Sequence, residues 1–435
     1  MEKLLKALGE ASIAGYKIND VCSESSEIYY VLDKVETVRS TNVRRTVVTV
    51  YVDIDGKRGS SNFSYFPYMD EEELKKIIEE KVYAAGFALN PFYEIPAKSE
   101  EIPAKLHSNF ENRDLEEIAE EVGKTIFENA HYEGGYLSAT EIFITKKHER
   151  IINSRGVDVS LESYEGFVEV IPSFGPETDE VETYHSFSFA SLDKEFIANK
   201  IKEAIALTKA RFEAKPLSLE KPVKVIIEGE GIESIADFFV EDLAYETVYR
   251  HMNLHELNDA VQGDEVKGDK LTIELLPAYE GVAASRSVDP DGVVLKPITV
   301  IKDGVGVARH GSYTYGYYLG EKNPTGRLSV LRLHPGKKSY EEMKKEPYLR
   351  CVKFSSFQSD RSSGYFGGEV RLGFYFDGEK EIPVTGFSIA GSLHELKGNL
   401  VLSKEETYES SGDAFFGASG YVGPKYIEVE GMNIL

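Results

Sequence analysis

Segments in which apolar and polar residues alternate recur along this chain, and they constrain its fold more than any other feature. The segment TVVTVYVDI (46–54) alternates and is followed by Asp55-Gly56, a dipeptide typical of two-residue β-hairpins. The second half carries a succession of such segments separated by Gly, Pro and Asp turns, among them LTIELLP, RLSVLRLH and GEVRLGFYF. Alternation with a period of two predicts strands. The second half is therefore predicted to be mainly antiparallel β-structure.

Amphipathic helices interrupt this pattern in the first half. Beyond a first helix at the N-terminus, helices are predicted to start at Asp70 and Asp114, and a further one to span about Asp193 to Glu213. An aspartate at a helix start accepts hydrogen bonds from the free N–H groups of the first turn. The fold class is α+β, with a mixed α/β domain over 1–215 and a mainly antiparallel domain over 216–435. A proline-punctuated linker or surface loop is expected over about 90–105.

Charge and composition exclude several classes of protein. The formal net charge of −24 argues against a nucleic-acid surface, because phosphate binding depends on clustered Lys and Arg. No apolar run approaches the roughly 20 residues that span a bilayer. Cys22 and Cys351 are the only cysteines, so a disulfide framework is not indicated. We therefore expect a cytoplasmic protein that binds neither nucleic acid nor membrane.

Two stretches of the second half carry the candidate chemistry. A helix is predicted over about 232–253, and it contains the sequence IADFFVEDLAYE. Glycine and tyrosine crowd residues 304–320, which we interpret as a mobile loop region. Aromatic residues in Gly- and Ser-rich loops can hold peptides through adaptable contacts, although ordinary packing is the default interpretation. The candidate peptide-binding residues are Tyr313, Tyr315, Tyr317, Phe357 and Tyr365.

A series of ordered motifs resembles the TldD/PmbA (TldD/TldE) family of peptidase-complex proteins. The resemblance covers nearly the whole chain and rests on DGKRGSSNF, INSRG, KVIIEGEG, ASRSVDPDGVVLKPITVIKDG, HPGKKSYEEM, PVTGFSIAGSLHEL and YIEVEGMNIL. Some family members carry the name modulator of DNA gyrase. The strongly acidic composition makes direct DNA contact an unfavourable route to such an activity.

The resemblance implies a degenerate metal site. In the active branch of the family, a His-Glu-x-x-x-His helix and a C-terminal cysteine are understood to hold zinc. Here Val240 and Tyr245 occupy the histidine positions, Glu241 keeps the glutamate position, and Ser419 stands near the position of the cysteine. Valine has no lone pair for zinc, and tyrosine and serine hydroxyls are poor substitutes for imidazole and thiolate. The pattern resembles the TldE/PmbA branch, whose members lack the motif.

This branch implies a non-catalytic subunit that pairs with a zinc-bearing TldD-like subunit to degrade or mature peptides. The chain itself is then expected to hold no cofactor. One alternative is a relocated zinc site, because His251 and His255 would share a helical face if the helix ran that far, and Glu256 follows. Another is a stand-alone peptide-binding protein or homodimer without a peptidase partner.

Overall fold

Eight strands and four helices precede residue 214 in the part of the chain that the computed structural model describes, residues 1–176, 178–219, 221–411 and 419–435. The helices are α1 (Glu2–Glu10), α2 (Glu71–Ala85), α3 (Leu115–Asn129) and α4 (Lys194–Glu213). The strands are β1 (Gly15–Val31), β2 (Lys34–Ile54), β3 (Lys57–Tyr65), β4 (Leu89–Pro91), β5 (Gly135–Asn153), β6 (Asp158–Phe174), β7 (Val181–Glu182) and β8 (His185–Phe189).

The predicted helix starts are confirmed. Asp70, Asp114 and Asp193 are the N-cap residues of α2, α3 and α4, and each side chain accepts from two backbone N–H groups of the first turn. At α2 the Glu73 carboxylate also accepts from the Asp70 N–H, which completes a capping box.

The first eight strands form one antiparallel sheet in the order β4-β3-β2-β1-β5-β6-β7, and β8 also pairs with β6. All four helices cover the same face of this sheet. One core packs under α1 and α2 around Ile18, Val48 and Phe63, and another under α3 and α4 around Ile142 and Val168. The opposite face is left for contacts with the rest of the molecule.

From Lys215 onwards the strands belong to two other sheets. They are β9 (Lys215–Pro216), β10 (Lys224–Glu228), β11 (Ile273–Leu276), β12 (Ile298–Lys302), β13 (Val305–Gly306), β14 (Val330–Leu333), β15 (Tyr348–Ser359), β16 (Tyr365–Phe376), β17 (Glu381–Thr385), β18 (Phe387–Ser392), β19 (Leu400–Leu402), β20 (Glu406–Ser411), β21 (Ser419–Pro424), β22 (Tyr426–Val429) and β23 (Asn433–Ile434). The helices between them are α5 (Glu230–Asp242), α6 (Tyr245–Tyr249), α7 (Tyr313–Tyr318), α8 (Tyr340–Met343) and α9 (Leu393–Leu396).

The second sheet follows the order β19-β22-β10-β15-β16-β17-β9, with β18 and β23 attached to β16. The third follows the order β13-β12-β11-β14-β21-β20. Three pairs are parallel, β10 with β15, β9 with β17 and β14 with β21, and the other pairs are antiparallel. One core joins these sheets to α5. The α+β prediction, with a mainly antiparallel second half, is therefore confirmed.

Two predictions for the second half are corrected by the structure. The helix expected over about 232–253 is two helices, because the chain breaks at Leu243 and Ala244 and α6 ends at Tyr249. The segment 304–320, expected to be a loop, contains the short strand β13 and the helix α7.

The proline-punctuated segment 90–105 begins as the last residues of β4 and then has no regular structure. It is nevertheless held in place, since the Asn153 amide donates to the Pro96 carbonyl at 2.8 Å and Arg155 donates to the Ile95 carbonyl at 2.8 Å. None of the helices in the described residues is long and apolar enough to cross a membrane.

The open face of the first sheet is partly covered by residues 286–291 of the second half. Arg286 donates to the Glu149 carboxylate at 2.6 Å, and Lys17 pairs with Asp291 at 2.5 Å. Val288 packs into an apolar cluster with Ile151 of β5. The two halves of the chain therefore share an interface that is both ionic and apolar.

Candidate functional site

The candidate site is built around α5, which follows the buried strand β10. Gly229 makes the turn between them with φ of 74°, a conformation that glycine adopts without a steric penalty. The inner face of α5 is apolar, and Ile232, Ile235 and Phe239 are almost completely buried. This face packs on the second sheet and fixes the orientation of the whole helix.

The break between α5 and α6 is stabilised by a backbone contact from a distant segment of the chain. The Tyr245 N–H donates to the His310 carbonyl at 2.6 Å, and Ala244 has an extended conformation. The His310 ring is buried, and its Nε2 lies 3.0 Å from the carbonyl oxygen of Val240, so this nitrogen donates. Burial lowers the pKa of His310 below its usual value, which favours the neutral ring. This histidine was not singled out from the sequence.

The predicted motif residues lie on different sides of the helix region. Val240 is 3 % exposed and Tyr245 is 2 % exposed, and both are part of the packed interior. Glu241 is exposed, and its backbone carbonyl accepts from Arg361 at 2.9 Å. Ser419 is exposed at the start of β21 and donates to the Glu233 carboxylate at 3.2 Å. The neighbouring Phe416 and the rest of 412–418 lie outside the described residues.

An acidic face of α5 therefore meets the start of β21. It consists of Glu233, Asp237 and Glu241, which follow one another at intervals of four residues and so share one side of the helix. The pKa of Asp237 is raised to about 7, first by partial loss of solvent and then by the carboxylates of Glu233 and Glu241. A carboxyl group of this kind exchanges a proton near neutral pH.

The alternative metal ligands His251, His255 and Glu256 are engaged elsewhere. His255 Nδ1 donates to the buried carboxylate of Asp242 at 2.8 Å, and Lys397 donates to His255 Nε2 at 3.1 Å. Glu256 pairs with Arg309 at 2.7 Å. His251 lies beyond the end of α6 with φ of 56°, so the helical face that would have aligned it with His255 does not exist.

Asp242 organises this region. Its carboxylate also accepts from the backbone N–H groups of Leu254 and His255, at 2.6 and 3.1 Å. The pKa of Lys397 is lowered by its partial burial, and the charge of Asp242 opposes that shift. The carboxylate at the end of α5 thus holds the segment that follows α6.

The candidate peptide-binding aromatic residues separate into two groups. Tyr315 and Tyr318 of α7 form a cluster with Tyr249 of α6, in which ring centroids lie 5.2 to 6.0 Å apart. Tyr318 donates to the Pro91 carbonyl at 2.8 Å, and Tyr317 contacts the Phe92 ring. These tyrosines therefore join the two halves of the chain.

The other aromatic candidates lie on different elements. Tyr313, at the start of α7, lines a small cavity between the halves with Tyr51 and Tyr93. Phe357 packs edge-on against Phe354 on β15, with ring centroids 5.0 Å apart. Tyr365, at the start of β16, is 41 % exposed. The structure does not gather these five residues into one surface.

The arrangement does not fit a zinc ion. In the described residues no group of three or more His, Cys, Asp or Glu side chains is arranged to hold a metal. The side chains of Val240 and Tyr245 are buried in the core, and the Ser419 hydroxyl donates a hydrogen bond to Glu233. The acidic face supplies oxygen atoms only, whereas catalytic zinc sites use histidine with carboxylate or cysteine.

Sequence reasoning missed Asp237, Asp242 and His310. The spacing Glu233, Asp237, Glu241 was a usable signal for the acidic face, because a four-residue repeat on a helix aligns side chains. No signal of that kind exists for His310, which reaches α5 from 70 residues away.

Comparisons with known proteins place the chain beside one protein family and several solved structures. Residues 220–435 match the PmbA/TldA metallopeptidase C-terminal domain family. No curated protein matches the chain in sequence. Among solved structures, TldE from Thermococcus kodakarensis is similar with a TM-score of 0.79 and 15 % identity over 99 % of both chains.

Two further structures carry a name that refers to modulation of DNA gyrase. The protein from Thermotoga maritima has a TM-score of 0.77 at 16 % identity, over 100 % of this chain and 99 % of that one. The protein from Bacteroides thetaiotaomicron has a TM-score of 0.75 at 15 % identity, over 99 % of this chain and 97 % of that one. At such identities the likeness shows a common fold.

Proposed function

Because the chain belongs to the TldD/PmbA family of metallopeptidase-related proteins, we propose that it is the non-catalytic, TldE/PmbA-like subunit of a peptide-degrading or peptide-maturing heterodimer. A TldD-like partner would supply the zinc. The small number of cysteines is in keeping with a cytoplasmic setting for this assembly.

One observation carries the proposal, and it does not depend on the motif register. The segment that forms α5 and α6, residues 230–249, contains no histidine and no cysteine. Setting the motif glutamate on Glu241 places Val240 and Tyr245 at the histidine positions. Setting it on Asp237 places Ala236 and Glu241 there. Neither register supplies an imidazole, so this helix region lacks the ligands of a catalytic zinc site.

The exposed acidic face has a role in this proposal. Glu233, Asp237 and Glu241 project from a helix whose other side is fixed in the core. We propose that they border the space that substrate peptides enter, where they favour cationic groups such as a peptide N-terminus or lysine side chain. The partner's zinc would then carry out the hydrolysis.

Metal analysis combined with a reconstitution assay tests this function. The purified chain should contain less than about 0.1 zinc atom per molecule even after incubation with zinc. Peptide hydrolysis should appear only when a zinc-bearing family member from the same organism is added, and a chelator should abolish it. Hydrolysis by the isolated chain that is sensitive to chelator would contradict the proposal.

A matched pair of variants separates this proposal from the relocated zinc site. If His255 were a ligand, His255→Ala would remove bound zinc and activity together. Under our proposal His255→Ala leaves the metal content of the reconstituted complex unchanged. His131→Ala serves as the control, because it changes an exposed histidine in the first half of the chain, distant in sequence from His255.

A further inference from the structure

A cavity of about 470 Å³ lies where the two halves of the chain meet, between α4 and β8 on one side and β15 on the other. The turn between β10 and α5 and part of β20 complete its wall. Ligand cavities in proteins commonly have volumes of this order and commonly lie between domains. None of the described residues in its wall belongs to the acidic face of α5, so the cavity is separate from the site described above.

One wall of the cavity is a single face of α4. Four residues of this helix line the cavity at spacings of three and four, which places them on one side of a helix: Lys200, Glu203, Ala204 and Leu207. Ile201 of the same helix is fully buried in the core against the first sheet. The packing of α4 therefore fixes which of its side chains the cavity receives.

The facing wall depends on an irregularity in β15. Val352, Lys353 and Phe354 all line the cavity, although consecutive residues of a regular strand point to opposite faces of the sheet. The pairing of β15 with β16 shifts register three times between Cys351 and Ser356. Such shifts mark β-bulges, which redirect side chains and occur often beside functional sites. The irregular segment therefore brings Lys353 to the cavity together with its two neighbours.

The charges around the cavity do not cancel. Each of the three glutamates in the wall has a cationic partner, in the pairs Glu228–Arg350 at 2.8 Å, Glu203–Lys425 at 3.6 Å and Glu409–Lys200 at 3.8 Å. Lys353 is the remaining cation of the wall, and no carboxylate within the part of the chain that the structure describes pairs with it. One positive charge is therefore left over, in a chain whose formal net charge is −24. A charge that is partly withdrawn from water is stabilised by an opposite charge, so the cavity is suited to an anion.

A histidine in the wall experiences this positive charge. The pKa of His185 is lowered to about 3, first by burial and then by the charges of Lys353 and Lys200. The two lysines come from different halves of the chain and act on the same ring. Their charges therefore reach one region of the cavity, where a bound anion would interact with both.

The rest of the wall includes an apolar surface. It is formed by side chains that are mostly buried, namely Phe187, Leu207, Val352 and Phe354. A bare inorganic ion would leave this surface and most of the volume unused, whereas an apolar group placed against it would be removed from water. The wall thus matches a molecule that has a charged end and an apolar end.

We propose that this cavity binds a small organic anion, whose carboxylate or phosphate group is held by Lys200 and Lys353 and whose apolar part packs against Phe187 and Phe354. Both kinds of head group accept charge-assisted hydrogen bonds from ammonium groups. The proposal adds a ligand site between the two halves of the chain. It uses none of the residues on which the proposed function rests.

Calorimetric titration of the full chain with four probes tests the ligand class. Phenylacetate and phenyl phosphate carry the two head groups, phenylacetamide is a neutral analogue of the first, and inorganic phosphate lacks the apolar part. At least one of the two aromatic anions should bind with a Kd below about 1 mM and at least about tenfold more tightly than phenylacetamide. The tighter of the two identifies the head group as carboxylate or phosphate. Inorganic phosphate should bind at least about tenfold more weakly than that anion.

Variants of Lys353 place the binding in this cavity. Lys353→Met should weaken binding of the preferred anion at least about tenfold, whereas Lys353→Arg keeps the charge and should retain binding. Because Lys353 has no carboxylate partner in the described residues, both variants should fold like the wild type. Lys302→Met, which changes an exposed lysine on β12, is the matched control and should bind like the wild type.

Nuclear magnetic resonance of the histidine rings locates the ligand independently. With ¹³C-labelled histidine, the ring signal that is lost in His185→Gln should move during the titration, and the signal of the exposed His131 should not.

Three results would overturn the site. They are equal binding of phenylacetate, phenyl phosphate and phenylacetamide, absence of binding by both aromatic anions at about 10 mM, and unchanged binding by Lys353→Met. The zinc and reconstitution assays do not involve this cavity, so failure of either proposal leaves the other standing.

Discussion

At the scale of single residues, the acidic face of α5 shows how position changes chemistry. Asp237 lies in the mostly apolar stretch IADFFVED, and this context predicts an ordinary surface residue of an amphipathic helix. In the structure it stands between Glu233 and Glu241, and partial burial together with the charges of these two carboxylates raises the pKa of Asp237 to about 7. The motif comparison drew attention to Val240, Tyr245 and Ser419, whereas the acidic face formed by Glu233, Asp237 and Glu241 was not singled out from the sequence.

Removing the Asp237 carboxyl should stabilise the protein above neutral pH. Its folded pKa of about 7 lies above the unfolded value, so the native state binds the proton more tightly. The stability that this group contributes is fully present below about pH 4 and is lost as pH rises through about 7. Asp237→Asn should therefore gain roughly 1 kcal/mol relative to wild type at pH 8, a figure reduced because the side chain reaches solvent.

Urea unfolding of both proteins at pH 4.5 and 8 measures this difference. The exposed carboxyl of Asp264 provides the control, since Asp264→Asn should show no comparable pH-dependent gain. Wild type and Asp237→Asn unfolding with the same difference at both pH values would show that Asp237 titrates as an ordinary carboxyl.

At the scale of elements, local signals predicted local structure. Asp70, Asp114 and Asp193 were identified as helix starts because capping depends on residues within one turn. The end of the helix expected over 232–253 was not predictable in the same way. Its break at Ala244 is produced by the backbone of His310, a contact from a distant segment. The helix α7 was missed because its tyrosines and glycine are weak helix formers.

Loss of the Asp242 carboxylate should release the segment that follows α6. Asp242→Ala leaves two backbone N–H groups and His255 Nδ1 without their acceptor, which should cost about 2–4 kcal/mol. Chemical denaturation measures the loss, and hydrogen exchange should show that the amides of Leu254 and His255 become unprotected.

Asp259 is the matched comparison for Asp242. It is exposed and accepts from the Glu256 N–H, so Asp259→Ala should cost less than about 1 kcal/mol. If the two variants lost equal stability, Asp242 would have no special role in holding this segment.

At the scale of the whole molecule, the fold class followed from the alternation, because the period of two is a property of the chain itself. The order of the strands in the sheets could not be predicted from this alternation. β10 lies between β15 and β22, which are roughly 120 and 200 residues away, and nothing within β10 specifies either neighbour. The tyrosines of α7 were interpreted as a surface for peptides, yet the partners that hold Tyr317 and Tyr318 come from the other half.

Two buried histidines should make the whole protein sensitive to acid. Burial lowers the pKa of His185 to about 3, and burial also lowers the pKa of His310. Below the unfolded value of about 6.5 the unfolded chain binds more protons, so stability falls as pH falls. For each histidine, the free energy of unfolding should fall by up to about 1.4 kcal/mol for every pH unit between about 6.5 and the folded pKa of that histidine.

Unfolding free energies between pH 5 and 7 check this slope. His185→Gln should reduce the slope by up to about 1.4 kcal/mol per pH unit, and His310→Gln should reduce it in the same direction, whereas the exposed His131→Gln should leave it unchanged. An unchanged slope in both buried-site variants would mean that other groups set the acid sensitivity. Protonation of Asp237 stabilises the folded state as pH falls and so opposes the effect of the two histidines. Each histidine is therefore changed singly.

The position of β10 has a consequence for how the protein is made. Val225 to Glu228 pair on one side with Tyr426 to Val429, close to the last residue of the sequence. The first sheet can assemble once residue 189 has been synthesised, and domains generally fold in that order on the ribosome. The second sheet must instead hold β10 with an open side until β22, roughly 200 residues later, has emerged. During translation, the apolar residues Val225, Ile226 and Ile227 therefore wait for one of their two neighbouring strands, and a chaperone could shield them in that interval.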